Sequence, residues 1–129
     1  MEKTSVSDGE LQEMEEYLRG YSFHEKLISM DEYERSFFYD PRKDGRGRGE
    51  IPLARVKLFE IRHFIMSMEN SDEKLLLYFH YVKGESVERC AELLGVARCT
   101  AFRMKKRALL LAVLHKKLKM ENGKLKMEN

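Results

Sequence analysis

The run Val87-Glu88-Arg89-Cys90-Ala91-Glu92-Leu93-Leu94-Gly95-Val96-Ala97-Arg98-Cys99-Thr100-Ala101-Phe102-Arg103-Met104 constrains this chain more than any other stretch. A small residue, Ala91, precedes Gly95 by one helical turn, and the apolar Val96 follows the glycine. Two helices that cross closely need a small side chain at the crossing. They also need a residue free to take positive φ in the turn, and an apolar plug behind it. The spacing therefore predicts a helix over Val87–Leu94, a turn at Gly95 and a second helix from Arg98 to about Leu118. Val87, Leu94, Ala101 and Met104 fall on the side expected to be buried. Arg98, Cys99, Phe102, Arg103 and Lys106 fall on the outward side.

Upstream of this pair the sequence again reads as helix. Ser7-Asp8-Gly9-Glu10 is a capping box, in which Ser7 and Glu10 satisfy each other's backbone amides. Leu11, Met14, Leu18 and Tyr21 follow at helical spacing, and the pattern resumes with Leu27, Ile28, Met30 and Tyr33. Gly20-Tyr21-Ser22 is a candidate break, and Ser29 to Glu32 a candidate second start. Residues 40–52 contain Pro41, Pro52, Gly45, Gly47 and Gly49, a composition that favours a flexible linker. Its bases Arg42, Lys43, Arg46 and Arg48 suit either solvent or DNA phosphates. Over Leu53–Met68, the residues Val56, Phe59, Ile61, His63, Phe64, Ile65 and Met68 give one broad apolar stripe. Asn70 or Ser71 caps a short apolar helix, Leu75–Val82, which Gly84 closes. Ser86 caps the next helix. The expectation is an all-α fold with five parts: an acidic helical arm at 1–39, a flexible linker at 40–52, an amphipathic helix at 53–69 packing on the arm, a helix-turn-helix domain at 70–118, and a frayed tail at 119–129. That tail repeats Lys117-Leu118-Lys119-Met120-Glu121-Asn122 as Lys124-Leu125-Lys126-Met127-Glu128-Asn129.

Charge separates along the chain. Residues 1–39 carry four basic and ten acidic side chains, a net of −6, and residues 40–129 carry twenty basic and twelve acidic, a net of +8. From Arg98 to Lys119 there are eight basic side chains and no acidic one. Such a helix is suited to a polyanion, with the acidic half held away from it. Other chemistry finds no support. His24, His63, His80 and His115 are scattered, and Cys90 and Cys99 lack metal-ligand spacing, so no metal, cofactor or catalytic residue is expected. No apolar run approaches the ~18 residues of a membrane span. The polar, acidic N-terminus is not a secretory signal. Reduced cysteines and a cytoplasmic setting are the corresponding expectations.

At Leu75 to Leu111 the chain resembles region 4 of sigma-70-type factors. The similarity rests on Leu75–Val82 followed by Gly84, on the helix Ser86–Leu94, on Gly95-Val96-Ala97-Arg98-Cys99-Thr100 in place of a Gly-Val-Ser-x-x-Thr turn, and on Arg107-Ala108. It departs in two places. Ala97 replaces the serine cap, which is typically worth ~1 kcal/mol, and Ala101 replaces a β-branched residue. The layout is similar to small sigma-like regulators of bacterial prophages and mobile elements. The resemblance implies a non-enzymatic, sequence-specific regulator that places the helix from Arg98 in the major groove of double-stranded DNA.

The candidate DNA-binding residues are Arg98, Cys99, Thr100, Phe102, Arg103, Lys105, Lys106 and Arg107. Arginine pairs with guanine in bidentate fashion, and a bulky Phe102 suits a thymine methyl or a protein partner. RNA polymerase and a second copy of the chain are the candidate protein partners. Two alternatives compete with this reading. One is an interaction module that docks on RNA polymerase or a sigma factor through Phe102 and Leu109–Leu114. The other is the DNA-recognition subunit of a phage packaging terminase.

Overall fold

The computed structural model describes the backbone of residues 6–38 and 50–128, with side chains described as far as Met120. The fold is all-α. Among the described residues, five α-helices follow one another: α1 (Asp8–Phe37), α2 (Glu50–Met66), α3 (Asp72–Leu77), α4 (Val87–Leu94) and α5 (Arg98–Glu128). A π-helical turn, Tyr78–Val82, extends α3. No described helix is long and apolar enough to cross a membrane.

Local chemistry accounts for the helix starts. At α1, the Ser7 hydroxyl accepts from the Glu10 amide and the Glu10 carboxylate accepts from the Ser7 amide, both at 3.2 Å. Ser71 caps α3 by accepting from the Lys74 amide at 3.3 Å. Ser86 caps α4 by accepting from the Arg89 amide at 3.1 Å. The candidate break at Gly20 does not occur, because Leu18 and Tyr21 on either side are both buried in the core. Helix α2 starts earlier than the linker boundary at 52 predicted. Pro52 stands in its first turn, where a missing amide costs nothing. Residues 39–49, with Arg42, Lys43, Arg46 and Arg48, lie outside the described residues.

Two apolar clusters hold the helices together. The larger joins Met14, Leu18 and Tyr21 of α1, Ile61 and Ile65 of α2, Leu77, Tyr81 and Val82, and Ala108, Leu109, Ala112 and Val113 of α5. The smaller joins Leu76, Val87, Cys90, Ala91 and Ala101, with Phe79, Leu94, Val96 and Met104 at its edge. Neighbours Leu76 and Leu77 thus belong to different clusters, and both are fully buried. The segment after Ser71 is therefore the wedge between the two halves of the core.

Three expectations change here. The broad stripe of α2 splits: Ile61, Ile65 and Met68 are buried and Phe64 is partly buried, while Val56, Phe59 and His63 face solvent. The stripe contained two faces, and only the one continuing through Ala54 and Leu58 meets α1 and the core. The N-terminal segment is not a separate arm, since it also packs on α5 and the π-helical turn. The helical backbone of α5 continues through most of the tail expected to fray, as far as Glu128.

One polar knot ties α1 to the C-terminal half. The Glu15 carboxylate accepts from the Tyr81 hydroxyl at 2.7 Å and lies 3.0 Å from Lys105 Nζ and 3.4 Å from an Arg19 guanidinium nitrogen. Burial works to raise the Glu15 pKa, but the Tyr81 hydroxyl, Lys105 and Arg19 together hold it below the ordinary 4.5. A carboxylate with a depressed folded-state pKa stabilises the fold above its unfolded pKa, and that stabilisation disappears as pH falls through the folded value. Glu15→Gln is therefore expected to cost about 1–3 kcal/mol at neutral pH, and Tyr81→Phe about 0.5–1.5 kcal/mol. Urea midpoints should show the Glu15→Gln deficit shrinking as pH drops below the mid-acid range. A deficit that persists unchanged in acid would remove the charge from this account.

Candidate nucleic-acid interface

The turn between α4 and α5 has the geometry its sequence predicts. Gly95 takes φ 69° and ψ 34°, the left-handed region. Its amide donates to the Glu92 carbonyl at 3.2 Å, and the Val96 amide donates to the Ala91 carbonyl at 3.0 Å. These paired bonds form a Schellman closure, which ends α4 and turns the chain before Arg98. Val96 packs at the edge of the smaller cluster. Ala91 and Ala101 are almost wholly buried in the same cluster, where α4 and α5 cross with single methyl groups as side chains. The Ala97 carbonyl accepts the first α5 bond, from Ala101 at 3.0 Å, and the alanine side chain has no oxygen with which to cap that end.

This crossing decides what α5 shows to solvent. Arg98, Cys99, Phe102, Arg103, Lys106 and Arg107 are exposed, Thr100 is half-buried, and Ala101, Ala108 and Leu109 are buried. Cys99, Arg103 and Lys106 follow one line along the helix, with Arg98 and Phe102 beside it. The Arg98 guanidinium lies 3.2 Å from the Glu88 carboxylate and 5.9 Å from the centre of the Phe102 ring. Arg107 reaches Glu73 of α3 at 3.6 Å, although its side chain remains 70% exposed. Neither Arg103 nor Lys106 has an ion-pair partner among the described residues.

The structure does not bring Lys105 to this face. It points toward α1 and is only 22% exposed, bound to Glu15. Lys117 is likewise bound, to Glu10 at 2.8 Å. The acidic side of α1 thus neutralises the inner side of α5 and leaves the outer side positive. Sequence spacing could not find Glu15, Glu73 or Glu88 as partners, because each pairing crosses between helices. The excess of acid in α1 hinted at Glu15 alone.

Other surfaces offer less chemistry. The Leu109–Leu114 stretch, expected as a docking surface under one alternative, is largely consumed: Leu109, Ala112 and Val113 are buried in the larger cluster. His115 shares a hydrogen bond of 2.9 Å with Ser67 Oγ, and burial followed by the charge of Lys119 lowers its pKa. Cys90 is buried and Cys99 exposed, and burial pushes the Cys90 thiol pKa up. Among the described residues, no three of His, Cys, Asp and Glu gather around a metal position. Comparison of the chain with protein-family models, with curated proteins and with solved structures finds no match.

The turn makes a clean test of backbone conformation. A Cβ on Gly95 would meet nothing within 4 Å, so no steric clash accompanies its replacement. Gly95→Ala is expected to lose about 1–2 kcal/mol, the cost of placing an L side chain in the left-handed region. Chemical denaturation checks this, and an unchanged midpoint would mean the turn does not need glycine.

Proposed function

We propose that this chain is a sequence-specific DNA-binding transcription regulator whose α5 enters the major groove, in the manner of sigma-70 region 4. One observation carries the reading. The left-handed turn at Gly95 is followed by a helix whose exposed face holds Arg98, Arg103, Lys106 and Arg107, with no acidic residue from Arg98 to Lys119. A recognition helix presents its N-terminal residues to base edges. Arg98 and Arg103 are the base-reading side chains, Phe102 suits a thymine methyl, and Thr100, Lys106 and Arg107 serve phosphates. Lys105 acts inside the fold, through Glu15. The site is one for binding and holds no catalytic group.

The docking alternative is weaker because Leu109, Ala112 and Val113 of its apolar stretch lie in the core. RNA polymerase as a partner rests on the region-4 resemblance alone.

Selection from a random DNA pool should yield a preferred duplex, bound with an affinity that falls steeply as salt rises. On that duplex, Arg98→Ala and Arg103→Ala are each expected to cost about 1–3 kcal/mol and to relax base preference. Lys106→Ala should weaken binding to all sequences alike and flatten the salt slope. Lys105→Ala should leave the affinity of the folded protein intact while lowering its denaturation midpoint. Gel shifts in which Arg98→Ala and Arg103→Ala both bind like the parent would assign recognition to another surface.

A further inference from the structure

The outer half of α1 carries an apolar face that the fold leaves uncovered. Phe23, Met30, Tyr33, Phe37 and Phe38 are 58–69% exposed. Phe23, Met30 and Phe37 are spaced seven residues apart and so fall on nearly one line. The core-facing line of the same helix, Met14, Tyr21 and Ile28, is a different one, and its residues are buried. The Tyr33 and Phe37 rings lie 4.6 Å apart, tilted by 37°, which makes the aromatic end of the face continuous. Exposed contiguous apolar surface of this kind marks an interaction site.

The pattern on this face is symmetric about Met30. Phe23 and Phe37 lie seven residues to either side, Lys26 and Glu34 four, and Leu27 and Tyr33 three. Each pair is complementary: aromatic with aromatic, cation with anion, apolar with apolar. A two-fold interface requires this, because residue i of one copy meets j of the other while j meets i. We infer that α1 pairs antiparallel with α1 of a second copy, with the two-fold axis at Met30. Phe23 then meets Phe37 of the second copy, and Lys26 meets its Glu34.

Size and composition favour this occupant. A whole aromatic side chain offers roughly 150–250 Å², so the five residues provide on the order of 600 Å² per copy. A stable dimer buries about 800 Å² per partner, and Lys26, Leu27 and Glu34 on the flanks supply the difference. The chain's own next segment is poorly suited to cover the face, because residues 39–50 contain no aliphatic or aromatic side chain apart from Tyr39 and Pro41. The inference does not depend on DNA binding.

Sedimentation equilibrium of the full chain tests it. At tens of micromolar the parent should run at twice its 15.3 kDa mass. Met30→Asp should return it to a monomer, and parent and variant should melt alike once both are diluted until the parent dissociates, since that side chain is 68% exposed. Lys26→Glu and Glu34→Lys should each weaken association several-fold, and the two together should restore it. In a Cys99→Ser background, Met30→Cys should cross-link to itself under oxidation. Phe23→Cys should cross-link only when mixed with Phe37→Cys. A parent that stays monomeric at these concentrations overturns the proposal. So does a dimer that survives Met30→Asp but is lost in Phe59→Ser on α2. Self-coupling of Phe23→Cys overturns the antiparallel arrangement.

Discussion

The close crossing of α5 with its neighbours is the constraint on which the rest of this molecule depends. Ala91 of α4 and Ala101 of α5 are buried in the same apolar cluster, each with nothing larger than a methyl group to pack. Further along, Ala108 and Ala112 let α5 settle against the larger cluster in the same way. The inward side of α5 shifts between these two contacts, from Ala101 in one cluster to Leu109 and Val113 in the other. A larger residue at either alanine would force the helices apart or push a side chain off its rotamer, which typically costs 1–3 kcal/mol. Everything α5 displays to solvent follows from where those methyl groups lie.

Electrostatics refine what packing has set. The acidic surplus of the first 39 residues is not simply remote from the basic helix; Glu10 and Glu15 contact Lys117 and Lys105 directly. These pairs join the two oppositely charged parts of the chain. Lys105, only 22% exposed, is thereby held on the inner side of α5. The bases left on the outer side near the start of α5 are arranged by shape and not by number. Arg98 is already held between Glu88 and Phe102 before any ligand arrives.

Much of this was legible in the sequence, for identifiable reasons. The all-α class, the Ser7–Glu10 box, the caps at Ser71 and Ser86, and the turn at Gly95 depend on residues within one helical turn of each other. Short-range chemistry of that kind can be read from spacing. The two faces of α2 were not legible. Val56 and Phe59 are as apolar as Ile61 and Ile65, and only the position of α1 decides which set is buried. The positions of Lys105 and Lys117 were hidden for the same reason, because their partners lie about a hundred residues away in sequence. Gly20 misled in the opposite direction: a poor helix former is overridden when the residues around it are buried.

Sequence punctuation and folding units need not coincide in this chain. The Pro- and Gly-rich stretch before α2 looks like a place where two independent parts could be cut. Yet Met14, Leu18 and Tyr21 from one side of it complete the same apolar cluster as Ile61, Leu77 and Val113 from the other. A fragment beginning at α2 would leave that cluster open to water along one whole side. The polypeptide therefore has the makings of a single cooperative unit, in which the turn at Gly95 and the distant capping box at Ser7 melt in one transition.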